Sequence, residues 1–284
     1  MACLTGLLLT VGLRLTVDQV VEAIKSCRWS LILFVNFIGI PLLVAMLIRV
    51  FDLEAEIAVG MILLAAAPFA PVVPVFVKLI RGDLALAAGL TSSISILSAF
   101  VTPLVILFAL RIVPGAGALS FDVLEILGIL MATITVPMLI GMAIHHLAPD
   151  LTRRILRPIE VFSEATGALS LIVVTVGEFE SILAIGWVPL LAMSIGSEVS
   201  LALGYWLGAG ERRGRRVVAF GTSNRNIALA LLLAVQNYAG TNVVSAVVAN
   251  GFLLILFGLL HVAFWRFIRA ERDSAPAIPG FGAG

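Results

Sequence analysis

Apolar runs that are long enough to cross a lipid bilayer recur along this chain. A membrane-spanning helix needs about 20 mainly apolar residues. Such runs, the first of them short, cover residues 1–15, 29–50, 57–77, 84–110, 124–146, 165–185, 187–208, 217–238 and 243–268. Hydrophobic residues make up 61% of the sequence, charged residues make up 12%, and the mean hydropathy is +1.15. A soluble domain needs more polar surface than this. The sequence therefore predicts an all-α polytopic membrane protein with about nine transmembrane helices, surrounded by lipid.

Basic residues favour one side of this layout. With the N-terminus outside, alternate connections and the C-terminal end carry Arg14, Lys25, Arg28, Lys78, Arg81, Arg153, Arg154, Arg157, Arg212, Arg213, Arg215, Arg216, Arg266, Arg269 and Arg272. The opposite side carries only Arg49 and Arg111. Because cytoplasmic loops are enriched in Lys and Arg, we expect the N-terminus outside and the C-terminus in the cytoplasm. No removable signal is expected at the start. The net charge of +1 argues against a nucleic-acid partner.

Two of the predicted spans contain interruptions. In the third span, Pro68, Pro71 and Pro74 follow one another at three-residue intervals. Each proline removes a backbone donor and clashes with the preceding turn, so we expect a broken helix, with a simple kink as the alternative. In the eighth span, residues 221–226 read Gly-Thr-Ser-Asn-Arg-Asn. Asn or Ser there can cap a new half-helix whose N-terminus attracts an anion. Two broken helices in corresponding halves of a chain are typical of inverted-repeat transporters, which bind their substrate near the membrane midplane.

Two charged residues, Glu198 and Arg225, fall well inside predicted spans. A charge at this depth costs about 3 kcal/mol or more and persists when it is paired or faces water. At a rise of about 1.5 Å per residue, the two residues lie at similar depths on consecutive antiparallel helices. We expect an ion pair or a shared polar cavity; the alternative is a buried pair that only holds the two helices together.

Four stretches resemble the bile acid:sodium symporter family. They are residues 9–15 (Leu-Thr-Val-Gly-Leu-Arg-Leu), 36–41 (Asn-Phe-Ile-Gly-Ile-Pro), 78–86 (Lys-Leu-Ile-Arg-Gly-Asp-Leu-Ala-Leu) and 224–230. The resemblance implies a nine-helix layout, or a ten-helix layout without its first helix. It also implies a transmembrane domain over residues 1–273, in which two broken helices cross and one part moves past the other like an elevator. The panel helices would cover residues 1–28 and 124–185, the core helices 29–110 and 187–268, and a flexible tail 274–284.

The chain departs from this family at the positions that hold sodium in relatives. The first crossing helix keeps Pro68 of the expected pattern, but Phe69, Ala70, Val73 and Pro74 occupy the places of Gly, Ser and Asn. In the second, the expected Glu and Gln-Asn pair are matched by Phe220, Asn224 and Arg225. Of the expected Ser and Thr in the next helix, Thr91 is matched and Ala87 replaces the Ser. Sodium prefers several hard oxygen ligands. Asn36, Asn224 and Thr91 remain as vestigial candidates for sodium ligands. No cofactor or metal is therefore expected, with a sodium ion as the doubtful exception.

These departures suggest that Arg225 takes the electrostatic role of sodium, because a guanidinium is permanently charged. The hypothesis is a secondary transporter of a small organic anion, bile-acid-like or carboxylate, and not an enzyme. Transport would be sodium-independent: uniport, exchange, or proton coupling through Glu198. The expected site residues are Arg225, Asn224, Asn226, Glu198, Asn36, Thr91, Pro71, Pro74, Ser223 and Thr222. Alternatives are a sodium-coupled symporter of the same family, a transport-dead sensor or partner protein, and, less favoured, a membrane-embedded enzyme. The sequence specifies no oligomeric state.

Overall fold

The described part of the chain is built from helices. The computed structural model describes residues 2–14, 25, 28–112, 124, 128, 131–208 and 212–274, and no strand occurs among them. The helices are α1 (Ala2–Arg14), α2 (Trp29–Val50), α3 (Ala55–Ala65), α4 (Val73–Leu79), α5 (Leu84–Ile112), α6 (Met131–Leu147), α7 (Pro149–Gly177), α8 (Phe179–Ala184), α9 (Trp187–Leu207), α10 (Arg212–Ser223), α11 (Ile227–Asn237) and α12 (Asn242–Ser274). The prediction of an all-α fold is confirmed.

Five helical segments among the described residues are long and apolar enough to cross a membrane: Trp29–Val50, Pro149–Gly177, Trp187–Leu207, Arg212–Asn237 and Asn242–Phe267. A sixth results if the two parts of α5, which meet at an angle of 62°, count as one span. The other three predicted spans fall on shorter apolar helices, so the number nine stays a prediction. Helix α12 continues to Ser274, the first residue of the predicted tail. The other tail residues, 275–284, lie outside the described part.

The prediction for the sixth span is wrong in its bounds. Helix α7 begins at Pro149, not near residue 165, and therefore contains Arg153, Arg154 and Arg157, which we expected in a loop. Proline is well tolerated in the first turn of a helix. Arg157 also lies 3.1 Å from Glu160, three residues further along the helix, a spacing at which opposite charges support helix formation.

The helices pack into two apolar clusters. The α3 cluster surrounds α3, whose residues 57–65 are all buried, and contains Val247 of α12, Leu229 of α11, and Ile40 and Val44 of α2. The aromatic cluster contains Phe69, Phe76, Phe220, Trp265 and the α2 residues Ile32 and Phe37. Helix α1 packs against α6 and α7, and its Leu4 and Leu8 belong to the α3 cluster. The division into panel and core stays a prediction.

The first broken helix is interrupted between the end of α3 at Ala65 and the start of α4 at Val73. A simple kink is excluded because the intervening backbone is not helical. Pro74 lies in the first turn of α4, where a missing N–H removes no helical hydrogen bond. Phe69 adopts a left-handed backbone conformation with φ of 52°. This turn directs the buried Phe69 ring against Gly221 of the second broken helix.

Substituting Gly221 tests this contact. In Gly221→Ala, the added methyl group would overlap the ring of Phe69. We expect a loss of stability of about 1–3 kcal/mol, as for other overpacked cores, measured as the free energy of unfolding in detergent. Gly177→Ala is the control because no atom lies within 4 Å of its added methyl group. Equal stability of the two variants would show that the packing of Phe69 on Gly221 is not tight.

Candidate functional site

The two broken helices meet through their backbones. The Ala70 N–H donates to the Asn224 carbonyl at 3.0 Å, and the Asn226 N–H donates to the Ala67 carbonyl at 2.8 Å. Backbone polar groups in a membrane must find partners within the protein, and these two bonds supply partners where the helical bonds are lost. The prediction that the fold contains two crossing broken helices is confirmed.

Asn226 caps the second half of the eighth span. Its side-chain Oδ1 accepts a hydrogen bond from the Leu229 N–H at 3.1 Å, the usual geometry of an asparagine N-cap. Helix α11 then runs to Asn237. The N-terminal end of α11, which carries partial positive charge, therefore lies directly after Arg225 at the crossing.

The Arg225 side chain is almost completely buried, with 4% of its surface exposed. Its Nη1 donates to Oδ1 of Asn36 at 3.1 Å, and its Nη2 donates to the Asn36 backbone carbonyl at 3.3 Å. Asn36 in turn donates through Nδ2 to the Ile32 carbonyl at 2.9 Å and to Oγ1 of Thr222 at 3.3 Å. Asn36, Thr222 and Arg225, all expected site residues, are thus brought together.

The Asn36 carbonyl can accept from Arg225 because of a π-helical turn at Val35–Gly39. In this turn the Ile40 N–H bonds to the Val35 carbonyl instead of the Asn36 carbonyl. The next residue, Pro41, has no N–H, so it cannot take over. The carbonyl of Asn36 is left without a helical donor and is satisfied by the guanidinium. Single π turns are frequent at functional sites.

No counter-ion balances the guanidinium among the residues that the structure describes. No carboxylate oxygen lies within 4.0 Å of its nitrogens, and its Nε has no acceptor. Arg225 borders a cavity of about 30 Å³, roughly the volume of one water molecule. The polar residues that line it with Arg225 are Ser197, Ser200, Ser223 and Asn250. The arrangement is a buried positive charge with neutral hydrogen-bonding groups around it.

The expected ion pair between Glu198 and Arg225 is not formed, and Glu198 does not line the cavity. Instead, Oε2 of Glu198 lies 3.3 Å from Nε2 of His261 on α12. The physical reason is the helical repeat. Ser197 and Ser200 of α9 line the cavity, and the residue after Ser197 is rotated by about 100° around the helix axis. The spacing along the helices does not specify the direction of a side chain, so the ion pair was wrongly expected.

The remaining expected residues surround the crossing without lining the cavity. Asn224 donates through its side chain to Oγ of Ser223 at 3.2 Å. Pro71 and Pro74 are partly exposed and shape the break. Thr91 is fully buried, and its hydroxyl has no hydrogen-bond partner in the described chain. Of the three vestigial sodium candidates, Asn36 uses both of its oxygens to accept from Arg225.

Ser197, Ser200, Asn250 and His261 were not among the expected site residues. Asn250 could have been found as an amide in the middle of the mainly apolar ninth span, and Ser197 and Ser200 as a pair at i and i+3 beside Glu198. His261 carried no signal, because its partner depends on which face of α9 Glu198 occupies.

The cap of α11 can be tested by substitution. Asn226→Ala removes the acceptor for the Leu229 N–H, and we expect a loss of about 0.5–2 kcal/mol in the free energy of unfolding. Asn226→Asp keeps an acceptor and should retain most of the stability. Asn237→Ala, at the other end of the same helix, is the control. If it destabilises the protein as much as Asn226→Ala, capping is not the reason for the loss.

Comparison with known proteins agrees with this architecture. The Sodium Bile acid symporter family model matches residues 1–185. A probable sodium/metabolite cotransporter BASS2, chloroplastic, from Oryza sativa subsp. japonica is 24% identical over 268 residues, covering 92% of this chain and 62% of the relative. A probable sodium/metabolite cotransporter BASS3, chloroplastic, from Arabidopsis thaliana is 25% identical over 295 residues, covering 99% and 66%. The chain thus spans about two thirds of the length of these curated relatives. With its crossing helices and this match, the chain belongs to the sodium bile acid symporter family.

Proposed function

We propose that this protein is a secondary transporter that carries a small organic anion, with the anion binding beside Arg225. The observation that carries the proposal is the buried guanidinium without a carboxylate partner in the described part of the chain. A buried charge is costly unless it is paired. A substrate anion would provide the missing negative charge, and Nε would provide a free donor.

The surroundings of Arg225 favour an anion over a cation. The positive end of the α11 dipole lies at Asn226 and attracts negative charge. Ser197 offers a hydroxyl donor at the same cavity, whereas the hydroxyls of Ser200 and Ser223 donate to the backbone carbonyls of Gly196 and Phe220. At about 30 Å³ the cavity is too small for an organic anion. Binding of an anion there would therefore require the helices around the cavity, among them α9 and α12, to separate from the crossing.

We further propose that transport by this chain does not depend on sodium. The two Asn36 oxygens that could ligate the ion accept hydrogen bonds from Arg225 instead. A sodium ion bound there would also lie beside a permanent positive charge and be repelled by it. The second candidate is a sodium-coupled symporter, which the names of the two plant relatives favour.

The layout in the membrane is part of the same proposal. The basic residues at the start of α10 and near the end of α12 support a cytoplasmic location for that face, with the N-terminus outside. Helix α1 packs mainly against α6 and α7 and only slightly against α11, which supports a panel distinct from the crossing helices. Movement of the core past this panel would expose the cavity to each side in turn.

The role of Arg225 can be tested by ligand-induced stabilisation. Purified protein is heated with a panel of carboxylates from acetate to cholate, since a ligand that binds the folded state raises the unfolding temperature. We expect Arg225→Gln to weaken binding by at least about tenfold, the loss of one charge-assisted hydrogen bond. Arg266→Ala, a change at an exposed arginine, is the control and should leave the stabilisation unchanged.

A second variant keeps Arg225 but places a negative charge beside its guanidinium. Asn36→Asp places a carboxylate on the guanidinium nitrogens that Asn36 already contacts. We expect the protein to stay folded and carboxylate binding to be lost, because the new side chain competes with the substrate anion. Unchanged carboxylate stabilisation in both Arg225→Gln and Asn36→Asp would rule out Arg225 as the anion site.

Sodium dependence is measured in proteoliposomes. Uptake of the carboxylate that stabilises the protein most is compared in sodium and in potassium buffer of equal ionic strength. We expect equal initial rates after subtraction of protein-free vesicles. Uptake that falls to the protein-free level without sodium would favour the second candidate, the sodium-coupled symporter.

A further inference from the structure

Glu198 and His261 form a titratable pair inside the membrane that the proposed anion site does not use. Oε2 of Glu198 lies 3.3 Å from Nε2 of His261. Glu198 precedes the end of α9 at Leu207 by nine residues, about 14 Å along the helix. His261 precedes Phe267, the end of the apolar part of α12, by six residues, about 9 Å. The pair therefore lies below the surface of the bilayer on two neighbouring helices.

The close contact between the two side chains is favourable only with a proton between them. Nδ1 of His261 lies 2.7 Å from the Phe257 carbonyl, and because a carbonyl only accepts, Nδ1 carries a hydrogen. In a neutral imidazole Nε2 is then an acceptor, and an ionised carboxylate also only accepts. Two acceptors at 3.3 Å repel each other unless one proton is bound. The second carboxylate oxygen, Oε1, is buried and has no donor in the described residues.

The other titratable groups around the pair are few. From α10, Arg216 lies over the ring of Trp265 at 5.3 Å, and from α9, Tyr205 lies 6.2 Å from the same ring. His261 is 6.0 Å from that ring on another side. On the outer part of α12, Glu56 accepts from the Asn242 N–H and Glu178 from Ser245, at least sixteen residues from His261 in the chain. Glu160 of α7 is partly buried and pairs with Arg14 and Arg157. The exposed charged groups on the helices that pack against α9 and α12 include Arg28, Arg49, Lys78, Glu180, Arg212, Arg213 and Arg215.

The two helices that carry the pair also form the walls of the Arg225 cavity. Glu198 follows Ser197, a cavity residue of α9. On α12, Asn250 lines the cavity. One turn before His261, α12 passes so close to the crossing that a methyl group added to Gly258 would lie 3.3 Å from Oδ1 of Asn224. A change in the distance between Glu198 and His261 would therefore move the walls of the anion site.

We propose that Glu198 and His261 bind one proton that is transported together with the anion. This inference rests on the proposed function. The proton binds to Nε2 and is shared with the carboxylate; when it leaves, a neutral imidazole and a carboxylate remain. Protein without ligands then carries the charges of Arg225 and Glu198, which sum to zero. With the anion and the proton both bound, the sum of the charges is also zero. With the proton alone the sum is +1, and with a monovalent anion alone it is −1.

This charge balance supplies the coupling. A net charge in the membrane is unfavourable, so the singly loaded forms change conformation less readily than the empty and fully loaded forms. Anion and proton are therefore carried together, and no net charge crosses the membrane in a cycle. Uptake of a monovalent carboxylate follows the pH gradient and is independent of the membrane potential.

Proton binding can be tested without any substrate. Trp265 is kept as the sole tryptophan by Trp29→Phe, Trp187→Phe and Trp206→Phe, and its fluorescence is followed against pH in purified protein. A protonated imidazole quenches a nearby indole, so the emission falls as the pH is lowered. The transition disappears in His261→Gln. The same transition in His261→Gln would overturn the proposal.

Coupling is tested in proteoliposomes with the carboxylate chosen by the stability screen. An inward proton gradient drives accumulation in the wild type, and a potential set by potassium and valinomycin does not alter it. Glu198→Gln and His261→Gln reduce accumulation to the level of protein-free vesicles but keep the exchange of labelled for unlabelled anion, which requires no release of the proton. Glu180→Gln, an exposed carboxylate on α8, behaves as the wild type.

The outcomes separate this inference from the proposed function. Suppose that the wild type exchanges the anion but that a proton gradient does not change its accumulation. Then the proposal that Glu198 and His261 bind a co-transported proton is wrong, and the proposed anion site stands. The same conclusion follows if Glu198→Gln accumulates the anion normally. If the wild type neither binds nor exchanges any carboxylate, the proposed function fails, and with it the coupling.

Discussion

The two backbone hydrogen bonds at the crossing are the constraint on which the site depends. They join Ala70 to Asn224 and Asn226 to Ala67, and so supply partners for main-chain groups that lie inside the membrane without helical bonds. Arg225 lies between the two bonded residues of the second broken helix. Its backbone is thereby fixed on both sides, and its side chain points to one place. The position of the positive charge follows from the way in which the broken helices satisfy their main chain.

Within the described part of the chain, the guanidinium is stabilised by dipoles and not by an opposite charge. Asn36 provides both acceptors, one from its side chain and one from a carbonyl that the π turn and Pro41 leave free. Dipoles reduce the cost of a buried charge but do not neutralise it. The conformation described here is accordingly compact around the charge and has little room beside it. An anion that enters would gain a full charge interaction in a medium of low dielectric constant.

The sequence predicted the features that depend on local chemistry. Three prolines at three-residue intervals predicted the break after α3, and Asn226 before an apolar run predicted the cap of α11. The predictions that failed depend on the direction in which a side chain points and on contacts between residues. Glu198 was expected to face Arg225, but it lies on another face of α9, where it reaches His261. The start of α7 was missed because its first turns are polar and resemble a loop, although the Arg157–Glu160 pair supports them as a helix. The Asn36 carbonyl is free to accept from Arg225 only because of a π turn, which no residue pattern in the sequence predicts.

That π turn also determines which apolar surfaces α2 can cover. An extra residue in one turn rotates everything after it by about 100° compared with a continuous α-helix. Before and within the turn, Ile32 and Phe37 pack into the aromatic cluster around Phe69 and Phe220. After it, Ile40 and Val44 pack into the α3 cluster. A single helix therefore packs into both clusters, with Asn36 close to the point where its buried face changes. Because α2 packs into both clusters, any rigid-body displacement of the crossing must move α2 with it.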